Sequence, residues 1–213
     1  VLEHKIVVIT QAWPGYNNGS SQALLASLRL YCKCFDQIHY VAMTDTVQST
    51  IFDGIDAVHF HQIKLNKLSE KKRFLLSLPL RSPAVSHQFT RKSVIAQLRE
   101  LLKGISGDGC KCVFLFEHLA PCAAWFKIRG DFLSAQICFR SHDILTLAFR
   151  ALAERSGFGM KQLLNWEVRR IQWLEKAMFA EADHVWAITE ENREEYREDL
   201  GLECDGVVGV EID

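Results

Sequence analysis

Short apolar runs recur along this chain, and most are followed by a segment whose apolar residues step by three or four. That alternation is the strongest constraint on what the chain can fold into. Residues 5–10 read Lys-Ile-Val-Val-Ile-Thr, a β-branched run suited to a strand buried on both faces, as in parallel sheets. Further strand-like runs lie at 38–44, 57–63, 110–116, 136–139, 184–189 and 207–210. Between them, 22–34 carries Leu24, Leu25, Leu28 and Tyr31 on one helical stripe, with Ser20 or Ser21 placed to cap it. The same period runs through 90–103 (Val94, Leu98, Leu101, Leu102) and 160–182 (Leu164, Val168, Ile171, Leu174, Met178). Residues 119–128 and a short acidic segment opening at Glu190 and Glu191 add helices, the latter with carboxylates at the positive end of the helix dipole. Strands alternating with helices predict an α/β fold with a mostly parallel sheet and right-handed crossovers. No repeat, low-complexity tract or linker divides 1–213, which reads as one domain.

The charge balance is close to neutral, at a formal −1, and gives no electrostatic case for nucleic acid. No apolar run reaches the ~20 residues of a membrane span, and the first residues lack a signal peptide's apolar stretch. A cytoplasmic location is therefore expected. The seven cysteines include Cys32-Lys33-Cys34 and Cys110-Lys111-Cys112, a spacing shorter than the usual zinc knuckle. Residues two apart share a strand face, so Cys110 and Cys112 can both point into one core as buried thiols. His59 and His61 likewise share a face, but no third ligand lies nearby in sequence, and no metal is expected.

Residues 64–81 form a basic stretch (Lys64, Lys67, Lys71, Lys72, Arg73) with Leu65, Leu68, Phe74, Leu75 and Leu76 interleaved. Such a segment suits either the anionic surface of a membrane, as a peripheral contact, or a solvated helix with an apolar underside.

The candidate chemistry lies where strands end. In open parallel sheets, ligands bind beyond the carboxyl ends of the strands. The run 136–139 is followed by Arg140, Ser141, His142 and Asp143, and the run 110–116 by Glu117 and His118. The first strand leads into Trp13-Pro14-Gly15-Tyr16-Asn17-Asn18-Gly19-Ser20, a loop rich in turn formers with a helix behind it. It is neither a dinucleotide fingerprint nor a P-loop, but a helix N-terminus behind such a loop suits a phosphate or polyhydroxyl ligand. Two readings of 140–143 stay open: a titratable site, or a helix cap with an ordinary surface imidazole.

Taken as an ordered series, these motifs resemble the N-terminal domain of retaining GT-B glycosyltransferases of the family-four type. The residues that carry the resemblance are the loop 13–19, Arg140-Ser141-His142-Asp143, the helix with Glu167, Arg170 and Glu175, then Ala182-Asp183-His184-Val185-Trp186-Ala187-Ile188-Thr189-Glu190-Glu191, and the ending Val208-Gly209-Val210-Glu211-Ile212-Asp213. The ending lacks the family's asparagine-glycine, and the loop is not a clean Gly-Gly. The resemblance implies a Rossmann-like, doubly wound, mostly parallel sheet, the N-terminal half of a GT-B fold. It implies transfer of a sugar from a nucleotide-diphosphate sugar to a hydroxyl of a glycan or lipid-linked acceptor, with no metal or other cofactor. It also implies a C-terminal nucleotide-sugar-binding domain absent from this chain, so that 1–213 alone is inactive. His142 takes the catalytic position. Gly15, Asn18, Gly19, Ser20, Glu117, His118, Arg140 and Asp143 become cleft candidates. A non-catalytic α/β nucleotide-binding or interaction module is the alternative.

Overall fold

The computed structural model describes residues 5–15, 19–46, 55, 57–66, 69–77, 82–107 and 112–209. Asn18, Lys67, Leu68, Cys110, residues 78–81 and the ending from Val210 to Asp213 lie outside the described residues, as do the side chains of Ser20 and Lys71.

Seven strands form one sheet: β1 Lys5–Thr10, β2 Gln37–Thr44, β3 Val58–Lys64, β4 Cys112–Phe116, β5 Gln136–Ser141, β6 His184–Ala187 and β7 Gly206–Val207. Their order is β3-β2-β1-β4-β5-β6-β7, and every pairing is parallel. The chain winds outward from β1 to β3, then crosses back to β4 and winds outward the other way. This is the expected Rossmann-like, doubly wound α/β sheet, and it opens a crevice between β1 and β4, where the connections diverge.

Strand alternation divides the core into two layers. Val7, Ile9, Val41, Met43, Phe114 and Phe116 face α3 (Lys92–Ser106), α4 (Leu119–Ile128) and α6 (Phe158–Glu181), meeting Leu98, Leu102, Trp125, Ile171 and Leu174. Ile6, Val8, Ile38, Tyr40 and Leu115 face the other way, onto Leu25, Leu28 and Tyr31 of α1 (Gly19–Cys34). Trp125 lies edge-on to Phe114 at 5.8 Å between ring centroids, a favoured aromatic geometry.

Three local expectations are corrected. α1 opens at Gly19, so Ser20 and Ser21 lie in its first turn rather than capping it; small residues there let the helix begin earlier than its apolar stripe. β5 runs two residues past Phe139, because Arg140 and Ser141 find buried partners and pair with Trp186 and Ala187 of β6. A separate helix, α5 (Leu145–Glu154), precedes α6 and packs against it. Its N-cap, Ile144, makes no side-chain bond. The capping reading of Ser141 and Asp143 therefore does not hold, and the α5 terminus is satisfied by a distant glutamate instead.

The motif residues of α6 are structural clamps. Glu175 accepts from the backbone N–H of Thr146 at 3.3 Å and from its hydroxyl at 2.5 Å, closing the first turn of α5. Glu167 accepts from the backbone N–H of Ala84 at 2.5 Å, at the start of a 3-10 turn (Ala84–Thr90). It also pairs with Arg170 at 2.9 Å. Arg170 reaches the carbonyls of Ser77 and Ser82 and stacks over Trp166, which fixes α2 (Glu70–Ser77) beside α6. Asp183 accepts from the backbone N–H of Ile137 at 2.7 Å, tying the start of β6 to β5.

Candidate functional site

Four of the expected residues converge at the carboxyl ends of β4 and β5. Glu117 follows β4 directly, and its backbone N–H still bonds Ile9 of β1, at 3.1 Å. The Glu117 side chain is fully buried. Its Oε2 accepts from Arg140 Nε at 2.8 Å and from His142 Nε2 at 2.8 Å, and its Oε1 from the Tyr31 hydroxyl at 2.7 Å. Arg140 continues to Ser27 on α1 at 2.5 Å, and Ser27 donates to the carbonyl of Ala23. A buried carboxylate with three donors, one of them a guanidinium, is a satisfied charge network rather than an orphaned group.

The electrostatics follow from that packing. Burial alone would raise Glu117. Arg140 beside it, the hydrogen bond and field of His142, and the Tyr31 hydroxyl more than reverse this and hold it at about 2. Because an ionised carboxylate only accepts, the His142 nitrogen facing it carries a proton. In the neutral ring, Nδ1 is then the lone-pair nitrogen, which a hydroxyl of a ligand can approach. His118 stacks on His142, with centroids 4.7 Å apart and planes within 12°. Its Nδ1 lies 3.0 Å from the Thr10 hydroxyl at the end of β1. Burial, with the nearby His142 and Arg140, pushes His118 down to about 3, so it is neutral at ordinary pH. The cluster thus spans β1, β4 and β5, astride the crevice between β1 and β4.

The remaining candidates separate. Asp143 is exposed and outside the network; its backbone carbonyl accepts from the Ser141 hydroxyl at 3.2 Å. Gly15 is buried, and its N–H bonds the carbonyl of Ser21 at 3.0 Å, which folds the loop after β1 against the start of α1. Gly19 is exposed at that start, with no heavy atom where a Cβ would sit. Sequence reasoning missed Thr10, Ser27 and Tyr31 as members of the network. Hydroxyls on the buried stripe of α1 were the available signal.

Beside the cluster, over β1, β2 and β3, lies a pocket of about 220 Å³ lined by Gln11, Met43, Thr44, Asp45, Leu65, Arg73 and Gln88. Gln11 follows Thr10 directly, so the pocket begins one residue beyond the end of β1.

His59 and His61 do share a face, and His39 of β2 joins them. The three rings stack at 5.0 and 5.2 Å, with His39 Nδ1 3.0 Å from His61 Nε2. Among the described residues, no group of three or more His, Cys, Asp or Glu is arranged to hold a metal. Near-parallel rings do not aim their nitrogens at one point. Cys112 is buried, as expected of a strand thiol.

No family model matches the sequence, and no curated protein matches it. The structure is similar to that of sucrose-phosphate synthase from Thermosynechococcus elongatus, with a TM-score of 0.52 and 12% identity over 98% of this chain and 89% of that one. It is also similar to UGT2 of Phytolacca americana complexed with UDP-2fluoro-glucose and pterostilbene, with a TM-score of 0.53 and 9% identity over 98% of this chain. The chain spans 55% of the length of the Phytolacca protein. The architecture is the Rossmann-like α/β fold found in these GT-B glycosyltransferases.

Proposed function

We propose that this chain is the acceptor-side domain of a glycosyltransferase. The reaction moves a sugar from a nucleotide-diphosphate sugar to an acceptor hydroxyl, with retention at the anomeric carbon, in polysaccharide or glycoconjugate assembly. The observation that carries the reading is the buried Glu117–Arg140–His142 network at the crevice of a sheet similar to those of two glycosyltransferases. Glu117 fixes the ring orientation and tautomer of His142, whose second nitrogen then serves a sugar hydroxyl. The loop after β1, which carries Gly15, and the N-terminus of α1, with Gly19 and Ser20, suit the phosphates of the donor. Cations and helix dipoles stabilise the departing diphosphate, so no bound metal is required. The neighbouring pocket has room for roughly seven waters. Its amide, hydroxyl, carboxylate and guanidinium groups suit one polyhydroxyl ring of a glycan or lipid-linked acceptor better than a flat aromatic one.

A second reading is favoured by one observation: His142 is paired to a carboxylate through Nε2, leaving Nδ1 to take a proton. That is the arrangement of a general base, which would let the acceptor oxygen attack C1 directly and invert it.

The test uses a longer protein containing this chain, assayed with a panel of nucleotide sugars. His142→Ala is expected to lose turnover roughly 100-fold or more while melting like wild type. Product configuration, read from anomeric proton coupling, decides between retention and inversion. Unchanged turnover returns His142 to a structural role, and no turnover with any donor favours the non-catalytic module. Residues 1–213 alone are expected to fold without turning over; glycosyl transfer by this chain by itself would refute that.

A further inference from the structure

The basic, leucine-bearing stretch seen in the sequence is only part of a larger surface. α2 lies along the N-terminal half of α6, with Phe74 edge-on to Trp166 at 6.5 Å and Ser77 held by Arg170 at 2.9 Å. Leu75 and Leu76, next to Phe74, are 63% and 52% exposed. Along α6, Phe158, Lys161, Gln162, Asn165, Trp166 and Arg169 line one groove of about 510 Å³. These residues step by three and four, so they form a single helical stripe. Phe158 is 82% exposed and Met160 55% exposed. They stand at the tip of the α5–α6 hairpin, about 12 and 9 Å along the helix from Trp166, with Phe158 on the stripe and Met160 projecting from the other side of the tip.

The charges beside these apolar groups are predominantly cationic. Between Arg150 and Arg169 the chain carries Arg150, Arg155, Lys161 and Arg169 as cations. Its carboxylates there are Glu154 and Glu167, and Glu167 is buried and engaged by Ala84 and Arg170. Lys72 adds a further exposed cation from α2. The chain as a whole is slightly anionic, so this face is a local exception. Aromatic and long aliphatic side chains standing among cations match the interface of an anionic bilayer: the apolar groups enter the headgroup boundary and the cations meet phosphates.

We propose that the face built from α2 and the N-terminal half of α6 docks on an anionic lipid surface, with the tip of α6 that carries Phe158 and Met160 inserted and Lys161 and Arg169 on the headgroups. Among the described residues no helix is long and apolar enough to cross a membrane, and the docking is peripheral. It does not depend on the transferase reading, because it concerns a face built of helices rather than the strand-end cluster.

The experiment is co-sedimentation of this chain with vesicles of phosphatidylcholine containing roughly one third phosphatidylglycerol, against pure phosphatidylcholine. Each cation near an anionic surface strengthens binding about five-fold, so Lys161→Ala with Arg169→Ala is expected to weaken partitioning roughly 25-fold. Phe158→Ser with Met160→Ser is expected to weaken it at least ten-fold, on the order of the loss of two inserted side chains. Leu133→Ser, at an exposed apolar position away from this face, is expected to bind like wild type, and melting curves confirm that every variant folds. Raised salt is expected to release the protein. No binding to the anionic vesicles, equal binding to the neutral ones, or full binding by Lys161→Ala with Arg169→Ala overturns the proposal. So does self-association without lipid that Phe158→Ser with Met160→Ser abolishes, which would make the face a protein contact.

Discussion

Two groups of buried glutamates in this molecule look alike in composition and differ in what holds them. Glu117 and Glu167 each pair with an arginine, and Glu117, Glu167 and Glu175 are all fully buried. Glu117 answers to side chains from three directions, an arginine, an imidazole and a phenol, and is driven down to about 2. Glu167 answers to Arg170 and to backbone N–H groups at Ala84 and Val85, and Glu175 to the Thr146 hydroxyl and to backbone N–H groups at the start of α5; burial leads in pushing both up. The first sits at a strand-end crevice beside an imidazole with a spare nitrogen; the other two sit along a helix and join it to its neighbours. Burial of a charge is thus no mark of function. Position and an unspent donor or acceptor are.

That contrast can be broken by measurement. The largest effect is expected from Arg140→Ala, which leaves Glu117 a buried anion without its guanidinium, at a cost of about 3–5 kcal/mol. For a chain of this length that is a fall in Tm of roughly 10 °C, readable by calorimetry.

Acid is next. Glu117 is depressed, so its contribution of about 3 kcal/mol is present above about 4.5 and lost as pH falls towards 2. His118 adds to the loss, because the unfolded chain takes up its proton near 6.5 and the folded chain only near 3. Glu167 and Glu175 act in the opposite sense: their folded values are raised, so their contribution is present in acid and fades as pH rises through them. Urea melts across this range are expected to show stability falling with acid, and His118→Asn should flatten the slope by about one proton. A flat profile in wild type would mean that the network does not govern acid stability.

Glu167→Gln should cost only about 1–2 kcal/mol, since the amide oxygen still accepts from Ala84 while Arg170 keeps its carbonyls and Trp166. A loss equal to that of Arg140→Ala would erase the distinction between the carboxylate at the strand ends and those that clamp helix starts. Glu175→Gln is the smallest, about 1 kcal/mol, detectable as a shift of the denaturation midpoint with an unchanged slope.

The strands and the stripes of α1, α3 and α6 were legible because periodicity and burial are local properties of the sequence. β1 was read to the residue, and α4 likewise. The extension of β5 was not legible, because Arg140 looks like a turn residue until Glu117, twenty-three positions earlier, is brought beside it. The same holds for the site. His142, Glu117, His118 and Arg140 were readable as strand-end residues. Tyr31 and Ser27 were read only as part of a helix, since nothing nearby in sequence says that α1 crosses the end of β4. His39 was missed for the same reason, its neighbours lying on the next strand. The glutamates of α6 matched a familiar pattern, and their part as caps on other helices needed the fold.

Among the described residues, the order of the strands leaves β3 and β7 at the two margins of the sheet, each with one side unpaired. An open margin is a template for another chain, and the two are protected differently. β7 is only two residues long and offers little to copy. β3 is seven residues long, and its companions are the stacked imidazoles and Lys64. His39, pushed down to about 4 by burial and by His61 and His59, stays uncharged until strongly acid solution. The strand next to the longer margin therefore gains positive charge at His39 as the fold weakens, so that repulsion between chains grows at the pH where partly opened sheets would otherwise add to one another.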